Sequence, residues 1–173
     1  EAGLYIAGRL ERFWESFNIL EGISWLERFI QKPESKNYLA ARASALHTDA
    51  LLLKWLLQFA KACAVAQECL EICRTSGDRG GQTDSLIVLG ESMIFNGEVE
   101  TGLDLIQQAY IISLSLNDSW RKATAAYSLG YYHRNNSSYW EEAYILFRGV
   151  GDWNSLNRML SQQAFFSVLD GNI

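Results

Sequence analysis

The stretch DRGGQTDSLIVLGESMIFNGEVETGLDLIQQAY, residues 78–110, decides the fold. Its apolar residues recur three and four apart at Leu86, Leu89 and Met93, stop at Asn96-Gly97, and resume at Leu103, Ile106, Ala109 and Tyr110. That pattern is an amphipathic helix, a turn and a second amphipathic helix. Asp78 stands where an N-cap would accept the free amides of the first helix. The unit is a helix hairpin.

Read outward from this unit, the chain repeats itself. Ser76-Gly77-Asp78 recurs 40 residues on as Leu116-Asn117-Asp118, Gly90 recurs as Gly130, and a step back from Gly90 lands on Ala50. Gly22, Ala62 and Gly102 form a second series at this spacing, and Phe29, Cys69 and Ala109 a third. Such periodicity marks a stacked array in which no unit buries its apolar face alone. The expected repeats are 1–36, 37–77, 78–117, 118–151 and an incomplete 152–173. Only 34 residues separate Asp118 from Asp152, so the second helix of the fourth repeat should be short, after a turn at Asn135-Asn136-Ser137-Ser138. A last helix should run from Trp153 to Leu169, followed by a turn at Asp170-Gly171-Asn172, with the sequence ending inside a repeat. Pro33 falls between repeats, where no helical hydrogen bond is lost. Strand signals are absent. The reading is one all-α array of about nine helices, with Gly90 facing Gly102 where paired helices cross.

Composition narrows the function. The 173 residues carry 15 Lys+Arg against 20 Asp+Glu, a formal charge of −5, with 49% hydrophobic and 13% aromatic residues. A chain of this size can bury roughly 70% of its unfolded surface. Without clustered Lys and Arg it is not expected to bind nucleic acid directly. The most apolar stretch, Ala50 to Ala60, is interrupted by Lys54 and Gln58 and falls short of the roughly 20 residues that span a membrane. Three cysteines, Cys63, Cys69 and Cys73, cannot close a set of intrachain bridges, which points to a reducing compartment and a cytoplasmic location. The chain opens on Glu1 with neither a methionine nor a signal segment, and is read as part of a longer polypeptide.

Chemistry is sparsely represented. Cys69 and Cys73 lie one turn apart but lack the further ligands of a zinc site, and Cys69 belongs to the buried series. His47 and His133 sit in different repeats with no Ser, Cys or Asp at a triad spacing. Gly80-Gly81 has no lysine after it, and no phosphate loop occurs elsewhere. Catalytic residues, metals and cofactors are therefore not expected. Phe59, Val99 and Tyr139 recur just after the inter-helix turns, where they would seal neighbouring hairpins.

Leu89-Gly90 and Leu129-Gly130, the Gly97 turn, and Gly102, Ile106 and Ala109 together resemble the tetratricopeptide repeat (TPR), with Leu10, Ala50, Gly90, Gly130 and Ala164 at equivalent places in five first helices. The closing proline of that repeat is missing, and the longer period implies longer second helices in the early repeats. The resemblance implies an α-solenoid of antiparallel helix hairpins, a right-handed superhelix whose first helices line the concave face. Gly77-Asp78-Arg79, Asn117-Asp118-Ser119-Trp120 and Gly151-Asp152-Trp153, with the opening Arg12-Phe13-Trp14, are similar to the long-repeat sensor arrays of bacterial signalling ATPases and transcriptional activators of the maltose-regulon activator type. This implies a non-catalytic scaffold in a larger regulator, binding a protein or peptide segment that could belong to another domain of the same polypeptide. A small-molecule inducer is the alternative, and an enzyme the third reading.

The register assigns the concave wall. His47, Lys54 and Trp55 come from the second repeat, Asp84, Glu91 and Phe95 from the third, and Tyr127, Tyr131 and Arg134 from the fourth. Tyrosine and arginine are favoured anchors for recognition. The competing expectation is a solvated face with local pairing, for example Glu91 with Arg134. At the C-terminal end, Leu160, Ala164 and Val168 lack the helix that would cover them, so self-association or a displaced last helix, involving Phe165 and Phe166, is expected.

Overall fold

The structure, a computed structural model, describes residues 1–133 and 137–169. Its α-helices are α1 (Ala2–Arg9), α2 (Glu11–Phe17), α3 (Ile19–Ile30), α4 (Leu39–Trp55), α5 (Phe59–Ser76), α6 (Arg79–Phe95), α7 (Val99–Leu114), α8 (Ser119–Tyr132), α9 (Ser137–Val150) and α10 (Trp153–Leu169), with a 3-10 turn at Pro33–Asn37. No strand occurs among the described residues. The molecule is an all-α solenoid of stacked hairpins, α4 with α5, α6 with α7, and α8 with α9.

Local chemistry sets the helix ends. Asp78, Asp118 and Asp152 each accept an amide three residues on, from Gly81 at 2.9 Å, Arg121 at 3.0 Å and Ser155 at 3.2 Å. These are N-caps, each contributing about 1 kcal/mol. Gly77, Gly97 and Gly151 close helices in the left-handed region, at φ of 73°, 99° and 72°. Behind Gly97 the amides of Gly97 and Glu98 reach back to the carbonyls of Ile94 and Met93 at 3.1 and 2.8 Å, the bond pattern of a glycine C-cap. One turn repeats these bonds with another residue: Leu57, 40 positions before Gly97, bonds Lys54 while Gln58 bonds Leu53, and Leu57 carries φ 58°.

The crossing of α6 and α7 depends on two glycines. A Cβ on Gly90 would lie 2.6 Å from the Gly102 carbonyl oxygen, and one on Gly102 would lie 2.5 Å from that of Gly90. The α4–α5 pair uses alanines at these places, Ala50 and Ala62, both fully buried. Cys69 and Ala109 of the third series are likewise buried, while Phe29 is half-buried. Asp49 interrupts the core. It occupies the place of Leu89 and Leu129, is 2% exposed, and its Oδ1 has no hydrogen-bond partner among the described residues.

Several expectations need correction. There are ten α-helices among the described residues, because the first helix of the first repeat breaks at Leu10. Carbonyls that the break releases are taken up by side chains, Ala7 by the Trp14 indole N–H at 3.0 Å and Gly8 by the Thr48 and Ser44 hydroxyls at 2.7 and 3.3 Å. Leu10, at the break, and Ala164, on α10, are exposed, unlike Ala50. Val99 is half exposed, whereas Phe59 stacks on Phe95 at 5.1 Å and Tyr139 sets its edge on Tyr110 at 5.4 Å. The second helices run to 18, 16 and 14 residues in α5, α7 and α9, but α3 has only 12, ending ahead of the Pro33 turn. The turns at Asn135-Asn136 and Asp170-Gly171-Asn172 lie outside the described residues.

Candidate functional site

The first helices turn one face each to a common cavity of about 310 Å³. Its lining follows the repeat. Glu11, Leu51, Glu91 and Tyr131 stand 40 residues apart and all line it, as do Glu15, Trp55 and Phe95, and His47, Ile87 and Tyr127. After the shorter fourth repeat the step is 34, which brings Thr124 to Arg158 and Ser128 to Gln162 on α10, again in the wall. Residues one repeat apart hold the same place in equivalent helices and so share a direction, and one face of each first helix is committed to this space.

Hydrogen bonds tie the walls together. Glu91 of α6 receives the Lys54 ammonium from α4 on one oxygen and the Ser128 hydroxyl from α8 on the other, the latter at 2.8 Å. Lys54 also lies over the Trp55 ring, 5.5 Å from its centroid, and the Trp55 indole donates to Glu15 at 2.8 Å. Asp84 is clasped by the Arg121 guanidinium at 2.9–3.1 Å. Tyr127 donates to Gln162 of α10 and lies beneath Arg158, whose guanidinium is 5.9 Å from the ring centroid. Burial pushes the Tyr127 phenol up to about 12, so it stays a neutral donor. Tyr131 packs on Phe166 at 5.3 Å. The last helix thus leans onto α8 through Phe166, leaving Phe165, Leu160 and Val168 exposed.

Superhelical curvature brings the ends of the chain together. Arg12 of α2 reaches Asp152, 140 residues away, at 3.3 Å, and Asp152 also accepts the Trp120 indole N–H at 2.7 Å. Asp152 therefore caps α10 and anchors two other repeats. Asp152→Ala is expected to cost about 1–2 kcal/mol, mainly through the lost cap, whereas Arg12→Ala should stay within about 0.5 kcal/mol because its side chain is 61% exposed. Urea denaturation of the two variants checks the order.

Of the residues assigned to the wall from sequence, His47, Lys54, Trp55, Asp84, Glu91, Phe95, Tyr127 and Tyr131 all line the cavity. Arg134 lies outside the described residues, and the partner seen for Glu91 is Lys54. Glu11, Glu15, Leu57, Trp120, Arg158 and Gln162 were not assigned, although carrying the 40-residue and 34-residue steps from the assigned residues to the end repeats reaches Glu11, Glu15 and Arg158. The cysteines pack: Cys69 receives the Ser85 hydroxyl at 3.1 Å and donates to the Ala43 carbonyl at 3.2 Å. Its hydrogen bond with the free Cys73 thiol and its burial push its own thiol up. Among the described residues no three His, Cys, Asp or Glu side chains are arranged to hold a metal ion, and no helix is long and apolar enough to cross a membrane.

Stacked hairpins whose first helices enclose a shared cavity define a TPR-like α-solenoid. The chain is similar to a crystal structure of nearly identical TPR-like repeats from Podosopora anserina, assigned as those of a kinesin light chain, with a TM-score of 0.62 and 14% identity over 98% of this chain and 97% of that one. At that identity the likeness shows the fold alone. No protein-family model matches the sequence, and no curated protein matches it.

Proposed function

We propose that the chain is a non-catalytic recognition module that takes a peptide segment, from a partner or from another domain of the same polypeptide, into the cavity of its first helices. TPR-like repeats are protein-interaction scaffolds in general. The observation that carries the reading here is the apolar rim of the cavity, where Trp55, Leu57 and Phe95 are 45%, 72% and 51% exposed. Large exposed apolar side chains at the mouth of a pocket suit recognition better than folding. The Gly-Asp junctions before Arg79 and Trp153 support placement in a larger bacterial signalling or transcription regulator working in the cytoplasm. The exposed Leu160, Phe165 and Val168 of α10 would support self-association through that end.

Leu57 supplies the test. A leucine in the left-handed region costs about 1 kcal/mol or more, which Gly97 at the equivalent turn avoids. Leu57→Gly is therefore expected to raise the melting temperature by roughly 2–4 °C while weakening peptides selected on this chain from a displayed library by about fivefold or more. Phe95→Ala should weaken the same peptides by about 1 kcal/mol or more. Selected peptides that ignore both substitutions, or a library that enriches none, would overturn the reading.

A second reading, a small-molecule inducer, draws on the cavity's volume, about 310 Å³, at the lower end for small-molecule pockets. Ligand-dependent stabilisation with an unchanged response to Leu57→Gly would favour it.

A further inference from the structure

The carboxylates of the cavity are not equally provided for. Glu91 has Lys54 and Ser128, and Asp84 has Arg121. Those on α2 do not fare as well. Among the described residues, Glu11 has His47 at 3.9 Å, and Glu15 accepts one hydrogen bond, from the Trp55 indole. Burial pushes the Glu11 carboxyl up, His47 pulls it back, the charges of Glu15 and Asp84 add to the upward push, and Arg12 draws it down more weakly; Glu11, Glu15 and Asp84 all line the cavity. Nδ1 of His47, in the same wall, is buried with no hydrogen-bond partner among the described residues. Aromatic and aliphatic surface from Leu51, Trp55 and Trp120 completes the surroundings.

Converging carboxylates beside aromatic faces suit a cation on an apolar stem: the head gains charge-assisted hydrogen bonds, and the stem and ring faces gain contact. We propose that the Glu11–Glu15 end of the cavity is a receptor for a lysine or arginine side chain carried by the bound segment, with the basic head between the two carboxylates and the stem against Leu51 and Trp55. This rests on the peptide-binding reading above. A segment is favoured over a free amine because the exposed Leu57 and Phe95 at the rim offer contacts that only the chain flanking the basic residue would use.

The test titrates the isotopically labelled chain with capped pentapeptides of alanine whose central residue is arginine, lysine, glutamine or glutamate, and with ethylguanidinium, following the indole N–H signals of Trp55 and Trp120. The arginine and lysine peptides are expected to bind about tenfold or more tighter than the glutamine peptide, with the glutamate peptide weakest. Glu11→Gln with Glu15→Gln should remove that preference, bringing the arginine and lysine peptides to within about twofold of the glutamine peptide. Should the double variant fail to fold, loss of the preference at high salt in the parent protein serves instead. Equal binding of the arginine and glutamine peptides, or preference for glutamate, overturns the basic-side-chain receptor and leaves peptide binding standing. Ethylguanidinium binding as tightly as the arginine peptide overturns the segment as the source. No movement of either indole with any peptide overturns both readings.

Discussion

Gly90→Ala should melt roughly 5–10 °C below the parent protein, and Gly90→Leu lower still. Alanine normally gains about 1 kcal/mol over glycine inside a helix, so a loss would have to come from packing. At Gly90 the atom in the way is the Gly102 carbonyl oxygen, 2.6 Å from the position a Cβ would take, with Ile106 at 2.8 Å. Backbone cannot swing aside as a side chain can. Relief requires α6 and α7 to separate, which exposes the Leu86, Ile87 and Leu89 cluster that the crossing seals. Overpacking of this kind costs about 1–3 kcal/mol and more when the helices themselves must move, and a domain of this size loses about 2–4 °C per kcal/mol.

Gly130 provides the control within the same molecule. There the added Cβ would meet the Trp140 ring at 3.0–3.2 Å, a side chain held by its indole N–H on the Gly130 carbonyl at 2.8 Å that need give by only a few tenths of an ångström, with no backbone in the way. Gly130→Ala is therefore expected to cost about 1 kcal/mol or less. Thermal melts followed by circular dichroism decide the matter: equal losses at the two glycines, or no loss at Gly90, would show that the contact does not set the helix spacing.

These glycines also show how far the sequence could be read. Gly90 facing Gly102 was legible because both the 40-residue period and the 3.6-residue helix repeat constrain it, and the caps at Asp78, Asp118 and Asp152 were legible because an N-cap is decided within four residues. The break at Leu10 was not, since it is compensated by hydroxyls of Thr48 and Ser44, 40 and 36 residues away, at the Gly8 carbonyl. The central wall followed from register alone. Its end repeats were overlooked because residue types are mixed along each series, Glu11 standing in register with Leu51, Glu91 and Tyr131, and Glu15 with Trp55 and Phe95, so that direction alone links them. The meeting of Arg12 with Asp152 is a different case: it sums a small rotation over every hairpin, and no local pattern encodes that sum.

Asp49→Leu is expected to stabilise the protein at neutral pH by about 2–4 kcal/mol. Two other repeats place a buried leucine here, Leu89 at 4% and Leu129 at 0% exposure, so the site accepts that side chain in related surroundings. The aspartate is buried with one oxygen unpartnered, and burial first, then the charge of Glu27, raises its carboxyl from 3.8 to about 7, against the pull of Lys61. A carboxyl whose folded-state value lies above its unfolded one favours the fold when protonated. Its cost is absent below about pH 4, grows as the pH rises towards 7, and is constant above, at about 1.4 kcal/mol for each unit between the two values. The parent protein should thus lose stability between pH 4 and 7 relative to Asp49→Asn, which keeps the shape and cannot ionise, while Asp49→Leu adds apolar burial at every pH. Urea midpoints across this range test both statements. A constant difference between the parent and Asp49→Asn from pH 4 to 7 would mean that Asp49 ionises at its ordinary value in the folded chain, and a lower midpoint for Asp49→Leu at pH 7.5 would mean that the second repeat has shaped its core around the carboxylate.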